Sequence, residues 1–473
     1  MGPALLADFQ FFLLDNRRSS RDGEELKRIV VAYPAVPRVS DLLWAAGLHS
    51  GTAAFARTFG ESSGVTRSET HQAVWLNVEV APGILLALTV SKAALPRHST
   101  EDGLLSIMHQ AHQLLVTLHG PLDAFLDSDG GDGVEDERGS VEGLASLSSG
   151  DRLRLPLQHF HGELLVPKSP LARELRNPFC SASGLTAAPV SRDTLHAAQA
   201  LDTALREAGG GAVEGVLVTH EERPAWTSLA EGRAARLALW QAHERLAKGP
   251  SALVPGARFD SAPVGSLAVL LWIPGPGAAA RLPTLCLGGQ ESEDRVACVV
   301  LCRKTGGPVK CLAVLRPEAV ERRGALVIAS VLAAAADALM TRLAREWGGE
   351  PLLPQHVHGF RFRAARYGLA GETTSTRQKV SAMTHADRAV AGSLRDTLAR
   401  RRPLREPDSV PAEDEGRDTS QVIVRAVQGE SWVVARTGLQ SELLAVRQLS
   451  SEPTVRQLLP VVEALAHQLH LGD

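Results

Sequence analysis

Four apolar runs near the start of the chain read FQFFLL (9–14), RIVVAY (28–33), AVWLNVEV (73–80) and ILLALTV (84–90). Their length and their leucine, β-branched and aromatic content predict buried strands. Ala81-Pro82-Gly83 separates the last two runs and predicts a tight turn. Residues 39–59, between the second and third runs, predict a helix. The opening of the chain therefore predicts a mainly antiparallel sheet flanked by helices.

A second helix is predicted to close this opening module. Residues 103–119 place Leu104, Met108, Ala111 and Leu115 on one stripe at helical spacing. The stretch that follows, residues 127–150, is rich in Gly, Asp and Ser and predicts a flexible loop. We therefore predict a first domain over residues 1–126, followed by a linker segment over residues 127–192.

The same order of elements recurs twice further along the chain, without sequence identity between the copies. Residues 193–349 predict a second domain, with helices at 194–208, 232–248 and 317–347 and strands at 213–220, 225–229, 266–273, 295–301 and 309–315. Residues 350–473 predict a third domain, with strands at 357–367, 376–383, 422–427, 432–436 and 443–446 and helices at 386–402 and 454–471. The predicted fold class is α+β, with three modules that each contain a mainly antiparallel sheet flanked by helices.

Composition excludes several classes of protein. The chain has 473 residues, of which 44% are hydrophobic, and a net charge of −3. This hydrophobic content favours globular domains. A net charge so close to zero gives no reason to expect nucleic acid as a partner. The longest uncharged apolar run, residues 324–336, has 13 residues, whereas a membrane-spanning helix needs about 20. The five cysteines, an odd number, favour reduced thiols, and we expect a cytoplasmic protein.

The sequence gives no support for covalent chemistry or for nucleotide or metal binding, because the matching motifs lie in the wrong order of elements, lack ligands or are absent. Gly60-Glu61-Ser62-Ser63-Gly64 matches the G-x-S-x-G pattern of hydrolases. It follows a predicted helix and precedes strands, which is the reverse of a nucleophile elbow. Residues 127–138 begin like a calcium loop but lack its ligands at positions five and twelve, and the sequence contains no phosphate-binding P-loop motif. We predict no catalytic residue, no cofactor and no resident metal, and hence a protein that is not an enzyme.

The sequence leaves the roles of its histidine and arginine clusters open between ligand binding and ordinary surface positions. His109, His112 and His119 share one face of a predicted helix, either as zinc ligands or as surface and interface histidines. The run Arg400-Arg401-Arg402 either touches acidic lipid or belongs to a solvated loop, because acidic residues follow it closely. Two histidine pairs are predicted to project to one side of a strand each: His159 with His161, and His356 with His358.

The first predicted helix carries two contrasting stripes. The first stripe is bulky and is predicted to pack on the sheet: Trp44, Leu48, Thr52, Phe55 and Phe59. The other faces carry small residues: Ala46, Gly47, Ser50, Gly51, Ala53 and Ala54. Glycine costs about 1 kcal/mol relative to alanine inside a helix, so close approach by a partner backbone would explain Gly47 and Gly51. The alternative is an ordinary helix in an alanine-rich protein.

Several of these stretches resemble a known family. The resemblance rests on FFLLDN (11–16), Tyr33-Pro34, Gly47-Leu48 and FARTF (55–59), on residues 217–229 in the middle of the chain, and on VIVRA (422–426) and SWVVAR (431–436) near its end. These stretches are similar to the calcium–caffeine–zinc sensitivity proteins, the vacuolar fusion subunits that partner the monensin-sensitivity protein. Residues 127–192 match that family poorly. The order strand, strand, helix, strand, strand, helix is that of the longin-type modules from which the family is built.

The resemblance implies a subunit with three longin domains. Such a subunit pairs with a monensin-sensitivity-type longin subunit to form a guanine-nucleotide exchange factor for a late-endosomal Rab GTPase of the Rab-seven class. It implies peripheral recruitment to late endosome, lysosome or vacuole membranes through the complex, and no contact with nucleic acid. The resemblance leaves open whether a third subunit joins. The residues expected to bind partners, or to support that surface, are Pro34, Trp44, Leu48, Phe55, Arg57 and Phe59.

Three alternatives remain from the sequence alone. One is a subunit of the Hermansky–Pudlak subunit four lineage, which serves lysosome-related organelles. Another is a trafficking scaffold whose longin folds only dock partners. The third is a serine hydrolase built on Ser62.

Overall fold

The structure is a computed structural model of the chain. It describes these residues: 8–18, 25–36, 38–58, 64–95, 101–128, 149–165, 192–209, 211–220, 223–229, 231–243, 258–264, 267–273, 284–288, 296–303, 309–316, 322–348, 357–364, 369–374, 420–425, 431–437 and 441–448. Among them, no helix is both long and apolar enough to cross a membrane.

The first module is a five-stranded antiparallel sheet with helices on both faces. Its elements in chain order are β1 (Phe9–Asp15), β2 (Ile29–Tyr33), α1 (Val39–Thr58), β3 (Val65–Glu69), β4 (Ala73–Ala81), β5 (Ile84–Ser91), α2 (Glu101–His119), α3 (Leu122–Ser128) and α4 (Ser149–Leu165). The strands lie in the order β2-β1-β5-β4-β3, and every neighbouring pair is antiparallel. The predicted α+β class is confirmed. The sequence analysis missed β3, a polar edge strand.

Alternation along β1 divides the core between the two faces of this sheet. Phe11 and Leu13 point to the side covered by α2, α3 and α4. Phe12 and Leu14 point to the side covered by α1. All four side chains are fully buried. Because β1 and β5 are covered on both faces, they appear in the sequence as nearly continuous apolar runs.

Helix α4 lies within the segment predicted as a linker, and it packs against β2 and β1. It buries Leu153, Leu157 and Phe160 at helical spacing in the same core as Phe11. The prediction that His159 and His161 project to one side of a strand is wrong, because both lie in α4. Residues two apart on a helix point in widely different directions. In the other predicted pair, His358 lies in a strand and His356 lies outside the described residues.

Truncating Phe160 tests whether α4 is an integral part of this module. Phe160 is fully buried, so we expect Phe160→Ala to cost about 3–5 kcal/mol of the module's stability through lost burial and a residual cavity. Hydrogen exchange of the β5 amides in the full chain measures this local unfolding free energy. Unchanged exchange would mean that α4 is dispensable for the fold.

The middle sheet has seven strands. Its elements are α5 (Arg192–Gly209), β6 (Val213–His220), β7 (Arg223–Thr227), α6 (Glu231–His243), β8 (Arg258–Val264), β9 (Leu267–Ile273), β10 (Thr284–Cys286), β11 (Val296–Arg303), β12 (Val309–Leu315) and α7 (Arg322–Gly348). The strand order is β7-β6-β12-β11-β9-β8, and β10 also pairs with β11. The sequence analysis missed β8 and β10. Pro317, the predicted first residue of the last helix, lies outside the described residues.

The third sheet repeats the strand order of the first. Its strands are β13 (Val357–Ala364), β14 (Leu369–Thr374), β15 (Ser420–Arg425), β16 (Ser431–Thr437) and β17 (Ser441–Gln448). They lie in the order β14-β13-β17-β16-β15. In all three sheets the last strand of the module pairs with its first, and the second strand forms an edge. The predicted elements at 376–383, 386–402 and 454–471 lie outside the described residues, and the predicted domain boundaries stay predictions.

Candidate protein-docking surface on helix α1

Helix α1 packs on the sheet through small residues, so the predicted orientation of this helix is wrong. Ala45, Ala46 and Ala53 are buried against the sheet. Trp44 and Phe55, which were predicted to face the sheet, are 46% and 67% exposed. The physical reason lies in the sheet, whose α1-facing surface is already filled by large side chains, including Phe12, Leu14, Trp75 and Leu85. In a close-packed interior, bulky side chains on the sheet favour small residues on the helix above them, here three alanines.

One polar side chain, His49, also lies on the buried face of α1. Its Nδ1 lies 2.5 Å from Asn77 Oδ1 on β4, and its Nε2 lies 3.0 Å from Thr89 Oγ1 on β5. The Asn77 amide donates to Thr52 Oγ1 at 3.0 Å and to the His49 carbonyl at 3.4 Å. Since the Asn77 NH2 group donates to acceptors on α1, its Oδ1 atom faces the imidazole as an acceptor. His49 Nδ1–H therefore donates to Asn77, and the Thr89 hydroxyl donates to Nε2.

This arrangement holds the imidazole neutral. Burial lowers the pKa of His49 to about 4, and the Asn77 hydrogen bond only partly opposes that effect. Sequence analysis missed this cluster, although a signal was present. Asn77 and Thr89 are polar residues in the otherwise apolar central runs of β4 and β5, and His49 stands among the alanines and glycines of α1.

Acid should destabilise the first module through His49. The folded pKa of about 4 lies below the unfolded value of about 6.5. The associated stability is therefore fully present above about pH 6.5 and is lost as the pH falls toward 4. We expect the loss of β5 amide protection between about pH 7 and about pH 4.5 to be smaller in His49→Gln than in the wild type by about 2 kcal/mol. An identical pH dependence in the two proteins would contradict this assignment.

The side of α1 opposite the sheet has no charged residue. We call it the outward face, formed by Ser40, Trp44, Gly47, Gly51, Ala54, Phe55 and Thr58, all of them exposed. Every residue of α1 is described, and its only acidic or basic side chains besides His49 are Asp41 and Arg57, which lie on its flanks. A helix face that is simply solvated normally carries charged and polar side chains. Exposed apolar surface of this kind makes the outward face a candidate for protein binding.

The two glycines of the outward face have no structural role within the described chain. A Cβ atom built on Gly47 or on Gly51 meets no atom within 4 Å, and neither residue needs a positive φ. Each glycine nevertheless costs the helix about 1 kcal/mol relative to alanine. Close approach by another polypeptide backbone would explain both residues.

The other predicted partner-binding residues have varied surroundings. Leu48 is half-buried and packs against the core beneath α1. Arg57 is exposed, and its Nη1 lies 3.6 Å from Glu79 Oε1 on β4. Pro34 follows β2 and accepts a 3.5 Å hydrogen bond from Gln10 Nε2 through its carbonyl. Phe59 lies outside the described residues, as does Ser62 of the hydrolase-like motif.

Trp44 connects the outward face with the sheet. Its ring meets the buried Trp75 ring edge-on at 5.5 Å, and Trp75 in turn lies 5.0 Å from the His49 ring. One edge of Trp44 is therefore held by the core while the rest of the side chain is exposed. A partly anchored aromatic side chain loses little conformational freedom on binding.

The three histidines of α2 are all partly buried. Burial lowers the pKa of His119 to about 4, with a smaller contribution from the charge of Arg152, and the His119 ring stacks on Phe125 at 4.9 Å. Burial also lowers the pKa of His109. Among the described residues, no group of three or more His, Cys, Asp or Glu side chains is arranged to hold a metal ion.

Comparison with known proteins gives partial similarities. No protein-family model matches the chain. The chain is 30% identical to Vacuolar fusion protein CCZ1 homolog A of Arabidopsis thaliana over 123 residues, which are 25% of this chain and 23% of that protein. It is 28% identical to Vacuolar fusion protein CCZ1 homolog of Oryza sativa subsp. japonica over 155 residues, which are 31% of each. The chain thus matches only 23% and 31% of the length of these curated relatives, and the resemblance seen in the sequence is supported to that extent.

Proposed function

We propose that this chain is a subunit of a heterodimeric guanine-nucleotide exchange factor that activates a Rab GTPase in vesicle transport and vacuole fusion. The outward face of α1 is the observation that carries the proposal, because an uncharged helix face with two exposed aromatic side chains suits protein binding. The similarity to proteins named for vacuolar fusion supports the process. The strand order common to the first and third sheets supports a chain built from repeated longin-type modules.

The partner proposed for this chain is a monensin-sensitivity-type longin subunit, and the two first modules together bind the GTPase. Trp44 and Phe55 expose 46% and 67% of their surface. Aromatic side chains bury about 150–250 Å² each, so covering the remainder of both removes roughly 250 Å² from water. At about 25 cal/mol per Å² this contributes about 6 kcal/mol before the costs of association.

Nucleotide exchange on a GTPase requires no acid, base or nucleophile from the exchange factor. The factor binds the nucleotide-free GTPase more tightly than the nucleotide-bound form, and by reciprocity its binding weakens the nucleotide at the GTPase's own site. A thousandfold acceleration of release corresponds to about 4 kcal/mol of preferential binding. The complex would act at the late endosome, lysosome or vacuole surface, to which the chain is recruited peripherally from the cytoplasm.

A nucleotide-release assay tests this function. The full chain, purified as a complex with its longin partner, is mixed with Rab-seven-class GTPase loaded with fluorescent GDP and an excess of unlabelled GTP. We expect release at least about a hundredfold faster than the intrinsic rate, since the reaction needs only differential binding. No acceleration with any Rab would overturn the proposal.

Two other outcomes of the same assay identify the alternatives. Acceleration confined to Rab proteins of lysosome-related organelles indicates the Hermansky–Pudlak subunit four lineage. Tight Rab binding that is insensitive to the bound nucleotide indicates a scaffold. A ligand that binds two states with equal affinity does not shift the equilibrium between them.

A further inference from the structure

A cluster of hydrogen-bonded polar side chains joins α1 to the sheet beneath it. His49, Asn77 and Thr89 are buried, and Thr52 completes the set. Aromatic rings enclose the cluster, with Phe12 at 5.3 Å and Trp75 at 5.0 Å from the imidazole. Burying polar groups is favourable only when their hydrogen bonds are made. A purely apolar contact would hold the helix equally well, so the cluster calls for a further explanation.

The apolar contacts between α1 and the sheet do little to fix the rotation of the helix about its own axis. The buried apolar residues of α1 at the sheet are Ala45, Ala46 and Ala53, and Leu42 and Leu48 are only partly buried beside them. Methyl groups form a smooth surface that tolerates small rotations of a helix about its axis, because burial is non-directional. Hydrogen bonds are directional and short. Asn77 contacts α1 at three points, the His49 ring, the His49 carbonyl and the Thr52 hydroxyl, and therefore defines the rotation of the helix.

We propose that His49 and Asn77 are positioning residues for the outward face of α1: their hydrogen bonds fix the rotation of the helix and so the direction of Trp44, Gly47, Gly51 and Phe55. This inference rests on the proposed function. A helix with its side chains has a radius of about 5–6 Å, so a rotation of about 20° moves the outward side chains by roughly 2 Å. A displacement of that size is enough to disrupt a complementary interface. The ring contacts from His49 through Trp75 to Trp44 couple the cluster to the outward face.

A triple variant separates positioning from stability. His49→Leu, Asn77→Val and Thr89→Val together replace the connected hydrogen-bonding partners with apolar side chains, which leaves the fold nearly unaffected when shapes are similar. We expect the variant to fold in the full chain, to show an altered near-UV circular dichroism signal from the Trp44–Trp75 pair, and to bind its longin partner at least tenfold more weakly. Wild-type affinity in the folded triple variant would overturn the proposal.

A conservative variant covers the case in which the triple variant does not fold. His49→Gln retains an amide donor and a carbonyl acceptor, so we expect it to bind the partner within about threefold of wild type, whereas His49→Leu, which leaves Asn77 unpaired, loses at least tenfold. Equal binding by these two single variants would overturn the proposal.

The result for Trp44→Ala distinguishes failure of this inference from failure of the proposed function. If Trp44→Ala weakens partner binding and the His49 and Asn77 variants do not, only the positioning inference fails. If Trp44→Ala also binds like wild type, the docking surface itself is wrong. The near-UV circular dichroism of the partner-free chain then still decides the positioning claim, which requires the triple variant to change the Trp44–Trp75 signal while its far-UV spectrum stays that of the wild type.

Discussion

The double variant Trp44→Ala/Phe55→Ala should fold normally and lose its longin partner. Both side chains are largely exposed in the partner-free chain, so folding loses little beyond the Trp44–Trp75 ring contact, worth about 1 kcal/mol. Aromatic residues at the centre of an interface contribute about 2–4 kcal/mol each on truncation. We expect the dissociation constant to rise by at least about a thousandfold, with nucleotide exchange lost in parallel.

Matched controls come from the other exposed apolar side chains of the described chain. Leu26, which precedes β2, is 45% exposed, and Leu165, at the end of α4, is 50% exposed. Leu26→Ala and Leu165→Ala remove similar exposed apolar surface away from α1, and both should bind the partner as the wild type does. A double variant that assembles normally, or controls that weaken binding equally, would refute the assignment of the docking surface to α1.

Substituting either glycine of the outward face should stabilise the chain and abolish assembly. A side chain at Gly47 or at Gly51 enters open space in the partner-free chain. Leucine is a better helix former than glycine, so Gly47→Leu or Gly51→Leu should gain about 0.5–1 kcal/mol of local stability. The same side chain would separate α1 from a closely packed partner backbone, and we expect at least about a hundredfold weaker partner binding for each variant.

Gly162 in α4 provides the control for this experiment. It is also a helical glycine with no atom within 4 Å of a built Cβ. Gly162→Leu should therefore produce the same gain in helix stability with no change in partner binding. If Gly47→Leu and Gly51→Leu assemble normally, the two glycines do not mark a close contact.

The central strands of the first module were predictable from sequence because they are buried on both faces. Continuous apolar runs such as residues 9–14 and 84–90 have a length and composition typical of central strands. The edge strand β3 was missed since its residues, VTRSE, are mostly polar and only half-buried. Helix α4 was missed because it follows a Gly/Asp/Ser-rich stretch and contains Pro156, both of which predict irregular structure.

The orientation of α1 was not predictable from its own sequence. The helix has a bulky stripe and a small-residue stripe, and periodicity alone assigns the bulkier one to the core. Which stripe faces the sheet depends on the side chains already there, and bulky residues such as Phe12 and Trp75 are met here by the small-residue stripe together with His49. The same limitation applies to His49, whose partners Asn77 and Thr89 come from strands 28 and 40 residues away in the chain.

Footprinting of Trp44 and Phe55 by hydroxyl radicals provides the decisive measurement. The full chain is labelled alone and in its purified complex with the longin partner and nucleotide-free Rab, and modification of each side chain is quantified by mass spectrometry. Both residues are exposed in the isolated chain, so we predict strong labelling there and at least about tenfold protection in the complex, with Leu165 labelled equally in both. Equal labelling of Trp44 and Phe55 in the two samples would show that α1 is not the surface through which this chain meets its partners.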